Sequence, residues 1–189
     1  MALRKQFRRA KPFPHLALPA ILEKTQYIKV RKGLLRQGFA RREADLFSFW
    51  QTADLCSARD KTIRAFLGFL RSKEQNQFLS AITGVKTKVG RVDAVGFRYT
   101  DGDHLLCHSD LTPSRKIAYV LHFSSLKPGD GGTLCLFASR GGRPTRILKR
   151  ILPKENTLVL MAITRKSHHM VEEVLTAKER LTIAGWFHA

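Results

Sequence analysis

Acidic residues are few in this chain of 189: 15 Asp and Glu stand against 34 Lys and Arg, for a formal net charge of +19. The deficit is sharpest at the start, where residues 1–42 hold 12 Lys or Arg and one acid, Glu23. A basic half of this kind usually faces a polyanion, with nucleic acid or a ribonucleoprotein the natural candidate. A solubilising surface with no specific partner is the plainer alternative. Cysteine is also sparse. Cys56, Cys107 and Cys135 form no C-x-x-C pair, which argues against a disulfide framework and fits free core thiols in a reducing compartment. Long apolar runs are missing. A segment such as LVLMAI, Leu158 to Ile163, is far too short to cross a bilayer, so no membrane partner is expected. The start, MALRKQFRRAKPFPH, lacks the apolar stretch of a secretory leader. It has some character of a mitochondrial presequence, but KPFPHLALP already reads as folded sequence. A cytoplasmic location is expected, with a nuclear or mitochondrial one left open. Internal repeats and low-complexity segments are absent.

What is present divides into two textures. The first half reads as helical: an imperfect apolar stripe from Pro19 to Gln37, an amphipathic helix from Asp60 to Ser72, and another from Lys73 to Ile82 that stops at Gly84. Asp60 suits an N-cap, and Ile63, Phe66, Leu67 and Leu70 fall on one face. Short strands are expected at Phe13 to Leu18 and at Leu46 to Trp50. After Val85 come eight short β-rich runs, separated by DGD, PSR, KPGDGG, GGRP and PKEN. Such turn material between short strands argues for a barrel or a two-sheet jelly roll. The expected fold class is therefore α+β, with N-terminal supporting helices and a jelly-roll core. One domain is expected over residues 1–189, with 1–92 mainly helical support and 93–189 the core.

Within that core, LLCHSD places His108 and Asp110 two residues apart. On a strand their side chains share a face. A third ligand is expected late in the β region, where SHHMVEEV offers His168 and His169. His169 is the better candidate because it opens the strand-like run. Two histidines and one carboxylate leave half a coordination sphere open, as oxygenases with non-haem Fe(II) require. A zinc hydrolase would more often use three histidines or an H-E-x-x-H helix, and neither occurs. Arg180 opens the apolar strand RLTIAGWFH. A buried guanidinium there needs an anionic partner, and a dicarboxylate co-substrate supplies one.

The segments KPFPHLALP, DLFSFWQTADL, YTDGDHLLCHSD, RKIAYVLHFS, GGTLCLF and SHHMVEEVLTAKERLTIAGWFH together span residues 11–188. In that order they resemble the Fe(II)/2-oxoglutarate dioxygenases of the prolyl hydroxylase type, most closely those that modify a proline of a ribosomal protein at the decoding centre. The resemblance implies a double-stranded β-helix catalytic core at 93–189, with Fe(II), 2-oxoglutarate and O₂ as its cofactor and co-substrates. It matches His108, Asp110 and His169 to the iron ligands, Arg180 to the residue holding the distal 2-oxoglutarate carboxylate, and Tyr99 to a tyrosine of that pocket. One position departs: His122, in YVLHFS, stands where the family usually has a tyrosine that hydrogen-bonds the same carboxylate. A histidine can also donate there; the alternative is a plain core histidine. Eukaryotic members carry a further β domain, and this chain ends at Ala189, so contacts made through that domain are not carried over.

The implied partner is a protein substrate, a ribosomal proline, with ribosome or RNA contact through the basic N-terminal half. Three other readings stay open at this stage. A nucleic-acid demethylase of the same class would usually carry a second arginine six residues after the co-substrate arginine, where this chain has Trp186. A β-barrel module could bind RNA without catalysis. Another protein residue, or a free amino acid, could be the target. His104 and His168 are expected to stand outside the site, Asp101 and Asp103 to serve the turn, Trp186 and Phe187 to belong to the core, and Gly131 and Gly132 to provide hairpin geometry.

Overall fold

The structure is a computed structural model that describes residues 2–189. Its first half contains α1 (Ala2–Arg9), β1 (His15–Leu18), α2 (Lys24–Leu35), the hairpin strands β2 (Phe39–Ala44) and β3 (Phe47–Thr52), α3 (Lys61–Leu70) and α4 (Lys73–Thr83). The second half is all strand: β4 (Val95–Tyr99), β5 (His104–His108), β6 (Arg115–His122), β7 (Leu134–Arg140), β8 (Arg143–Ile151), β9 (Thr157–Ala162), β10 (His169–Val171) and β11 (Arg180–His188). All pairings are antiparallel, and the order is β1-β9-β6-β11-β4-β3-β5-β10-β7-β8, with β2 paired to β3. This is the curled antiparallel sheet of a jelly roll, as the turn spacing leads one to expect.

Strand alternation sorts residues between two layers. On β6, Ile117, Tyr119 and Leu121 face the helices, while Ala118, Val120 and His122 face the interior of the roll. On β9, Leu158, Leu160 and Ala162 go to the helices, and Val159 and Met161 go inside. The helical layer supplies Leu34, Ile63, Phe66, Leu67 and Leu79 to the shared core. Burying side chains of this size is worth about 1.5–3 kcal/mol each, which makes that layer the main support of the site.

Local chemistry explains the helix ends. The Asp60 carboxylate accepts from the backbone N–H groups of Thr62 and Ile63, and Arg36, just past the end of α2, holds it as well. The Arg36 side chain, together with these N–H groups, keeps the Asp60 carboxyl below its usual pKa. Gly84 closes α4 in the left-handed region, at φ 73°, where a Cβ is unwelcome. Two elements were not anticipated. α1 forms from the Arg-rich start, anchored by buried Phe7. β2 has five exposed residues of six and no alternation to reveal it, and it exists through its register with β3. The helix expected from Pro19 shortens to Lys24–Leu35.

Gly185 shows how tightly β11 is packed. A Cβ there would drive into the backbone carbonyl of Asp93 and meet Tyr119 Cε1 at 3.2 Å. The Tyr119 hydroxyl donates to that same Asp93 carbonyl at 2.9 Å, so neither neighbour can retreat freely. Gly185→Ala should therefore lower stability by about 1–3 kcal/mol. Urea unfolding followed by tryptophan fluorescence checks this; an unchanged midpoint would show that the contact yields.

Candidate active site

β5 and β10 lie side by side, and their register sets His108 opposite His169. The two imidazole centroids are 4.3 Å apart. β5 ends at His108, so Asp110 is not on the strand. The turn that follows nevertheless brings its carboxylate back to both rings, 3.8 Å from His108 Nε2 and 3.5 Å from His169 Nε2. One ligand atom from each of the three lies within 4.8 Å of the others.

Both rings are fixed in the same tautomer. His108 Nδ1 donates to the Leu106 carbonyl and His169 Nδ1 to the Ser167 carbonyl, each at 2.9 Å. A carbonyl only accepts, so in each ring Nδ1 carries the N–H committed to the backbone, and Nε2 is the nitrogen that faces Asp110. Burial, with His108 adding to it, pushes the His169 pKa down to about 4. His169 is therefore neutral near pH 7 and ready to ligate. Outside this trio, the Arg115 guanidinium stands 3.9 Å from Asp110 Oδ1 and 3.4 Å from the centroid of the Trp186 ring.

The three side chains open onto a cavity of about 80 Å³ within the roll, walled by Val120, Leu134, Met161 and Trp186. Arg180, at the start of β11 and 2% exposed, lines the same cavity. Its register partner is Tyr99 on β4. The guanidinium carbon sits 5.0 Å from the centroid of the Tyr99 ring. Among the described residues no carboxylate is in ion-pair range of Arg180, and its Nε has no hydrogen-bond partner. Burial lowers the Arg180 pKa and pushes the Tyr99 phenol up to about 12.

His122 is fully buried on β6, in register with Thr182 of β11 and Thr157 of β9. It does not line the cavity itself but shares the inward face with Thr182, which does. Neither of its ring nitrogens has a partner, and Thr157 Oγ1 has none either. Burial first, and then the charge of Arg180, lower the His122 pKa well below the usual imidazole value. An unpaired buried polar group is expensive. Here a guanidinium nitrogen, an imidazole and a hydroxyl go unpaired in one region, all able to donate to an anion. The donor set fits a ferrous ion held by the trio and a carboxylate held by Arg180.

The other sequence expectations divide. His104 and His168 stay outside the cavity lining. Phe187 is core. Trp186 packs against the inner apolar cluster and also walls the cavity, because alternation along β11 puts Thr182, Ala184 and Trp186 on the inner face. Asp103 is more than a turn residue. It is fully buried, and it accepts from the backbone N–H and hydroxyl of Thr100 and from Ser48 and Arg41. That network ties the β4–β5 turn to the β2–β3 hairpin. Gly131 and Gly132 are not hairpin residues. They run beside Glu173 and Val174, at φ 74° and 64°, and a Cβ on Gly132 would sit 3.3 Å from Arg180 Cδ. Thr157 and Thr182 were missed, since a threonine on a strand is ordinary until its depth is known.

The comparisons agree with this geometry. Residues 95–188 match the 2OG-Fe(II) oxygenase superfamily. A prolyl 3-hydroxylase OGFOD1 of Xenopus laevis is 33% identical over 182 residues, covering 94% of this chain and 35% of that protein. A prolyl 3,4-dihydroxylase OGFOD1 of Ostreococcus tauri is 34% identical over 197 residues, covering 94% of this chain and 38% of that one. The chain thus spans little more than a third of the length of these relatives. Among solved structures, a prolyl-4-hydroxylase of Pseudomonas putida superposes with a TM-score of 0.77 at 15% identity, covering 98% of both chains. A curled antiparallel sheet, a convergent His-Asp-His trio and this sequence match together place the chain in the 2OG-Fe(II) oxygenase superfamily.

Proposed function

We propose that the chain hydroxylates a prolyl residue of a protein, a ribosomal protein being the favoured substrate, using Fe(II), 2-oxoglutarate and O₂. The observation that carries this is the cavity itself, lined both by three convergent ligand atoms and by the buried Arg180 guanidinium, whose Nε has no partner. The prolyl target rests on the relatives named as prolyl hydroxylases. The ribosomal substrate rests on the sequence resemblance.

In this reading His108 Nε2, His169 Nε2 and an Asp110 oxygen hold the metal. The backbone carbonyls of Leu106 and Ser167 orient the two rings through their Nδ1–H groups. Fe(II) bound with 2-oxoglutarate supplies O₂-dependent oxidation of a C–H bond, with succinate and CO₂ as the other products. Arg180 donates to the distal carboxylate of 2-oxoglutarate, and the Tyr99 ring lies over the guanidinium to keep it in place. Neutral His122, at the position of the family's tyrosine, sits beside Thr182 just outside the lining with its one N–H unpaired, and would donate it toward the same carboxylate. The apolar walls keep water out and hold the target C–H bond near the metal.

His169→Ala should lose metal binding and turnover together, while Arg180→Lys should bind metal normally and raise the KM for 2-oxoglutarate. The arginine change is expected to cost about 2–5 kcal/mol of co-substrate binding. Calorimetry with Fe(II) under anaerobic conditions and a succinate assay separate the two. Mass spectrometry of ribosomal proteins from cells with and without the gene tests the substrate. A peptide that gains one oxygen atom on proline only when the gene is present is the expected result; unmodified ribosomal prolines in both would reject it.

His122 also sets a pH dependence. The native ring stays neutral, while in the unfolded chain it takes up a second proton near pH 6.5. Below that pH the unfolded state binds more protons, so stability falls as pH drops, by up to about 1.4 kcal/mol per unit from this residue. His122→Leu should remove that share of the slope between about pH 7 and pH 5 in urea titrations. The share contributed by His169 should remain.

A further inference from the structure

The sheet has two ends. β1 pairs only with β9, and β8 pairs only with β7. The curl of the roll brings these ends opposite each other without joining them. The gap is a cleft of about 560 Å³, closed at one side by the end of α1 and the residues after it. Arg9 and Lys11 line it from that side, Lys149 and Arg150 from β8, and His15 from β1. Among the described residues no Asp or Glu lines it. Arg9, Lys11, Lys149 and Arg150 are all exposed. Arg150 alone reaches a carboxylate, donating to Glu172 at 3.1 Å. Further cations flank the cleft in sequence: Arg4, Lys5 and Arg8 on α1, and Arg143 and Arg146 on β8. His15 is buried with its Nδ1 donating to the Phe13 carbonyl, and burial with the nearby Lys149 lowers its pKa, so it adds no charge of its own.

Like charges gathered around a concavity repel one another, and a local carboxylate would relieve them. The fold places none in the lining. A row of phosphates would. We propose that the cleft between β1 and β8 binds the sugar-phosphate backbone of a single-stranded nucleic acid. A concave groove with cations on both walls tracks such a strand. It does not suit a flat anionic bilayer, which favours a convex or planar basic face with apolar side chains to insert. The groove carries no exposed aromatic platform, so binding is to the backbone, independent of sequence, and strongly salt-dependent. The basic patch legible in residues 1–42 is thus only one wall; β8, more than a hundred residues later, is the other. This proposal does not rest on the oxygenase reading. Its rival is that the cations simply guard two free sheet edges against pairing with other chains.

The test is fluorescence anisotropy of the full chain with labelled oligouridylate and oligothymidylate at salt from about 50 to 200 mM. Three or four phosphate contacts give a log–log salt slope of about −2 to −3 for a single strand. Arg9→Gln, Lys11→Gln and Lys149→Gln combined should weaken binding about tenfold or more and flatten the slope by about 2. Lys24→Gln, Lys29→Gln and Lys32→Gln on α2 remove the same charge elsewhere and should leave affinity within about twofold. Equal losses in the two triple variants would overturn the proposal. So would no binding of either oligonucleotide at the lowest salt, the edge-guard outcome, or binding only to anionic vesicles or an acidic peptide. Lysine acetylation of the unmutated chain, with and without oligouridylate, gives an answer that does not depend on the variants folding. Protection of Lys11 and Lys149 but not Lys24 and Lys29 is expected, and the reverse pattern would overturn the assignment. Preference for one oligonucleotide over the other identifies RNA or DNA as the source of the strand.

Discussion

Burying the Arg180 guanidinium is the constraint around which the rest of the site is arranged. Taking a cation that size out of water costs several kcal/mol. The Tyr99 ring returns about 0.5–2 kcal/mol of that, which does not cover it. The remainder is borne by the core around it: β11 is the central strand between β4 and β6, and its outward residues Leu181, Ile183 and Phe187 are locked into the helical layer. The helices therefore support the Arg180 side of the cavity, although none of them lines it. They hold β11 in place while its inner face carries a charge awaiting a counter-ion.

The metal trio depends on a different device, which is strand register. His108 and His169 are sixty-one positions apart in sequence and become neighbours because β10 is inserted between β5 and β7. A shift of one residue would turn either ring out of the cavity. The buried Asp103 network and the close approach of Gly131 to Glu173 both act next to these strands, and each resists such a slip. The same register logic, running to the two unpaired ends of the sheet, leaves β1 and β8 facing each other across a basic cleft.

Much of this was legible beforehand, for identifiable reasons. His108 and Asp110 stood out because two ligand types two residues apart are uncommon in apolar sequence. Arg180 stood out because a charge at the head of RLTIAGWFH conflicts with everything after it. The Asp60 cap and the Gly84 stop were readable because capping is local chemistry. Other residues gave no such signal. Asp103 sits in DGD, which reads as turn, and only its complete burial distinguishes it from Asp101. Trp186 looked like core because an aromatic in an apolar strand usually is; its face of β11 happens to be the one lining the cavity. β2, in FARREA, carries no hydrophobic period and was invisible without its partner strand.

The sequence by itself determined the donor chemistry, the helix caps, the strand-and-turn cadence of a jelly roll and the surplus of positive charge, because each is written in residue type and short-range spacing. The tertiary structure alone decided which of those residues meet. It put His169 across from His108, gathered His122, Thr157 and Arg180 into one buried donor cluster, and set Lys149 opposite Lys11. Those encounters depend on strand order and register over long stretches of chain, and no local pattern encodes which distant strand will become the neighbour.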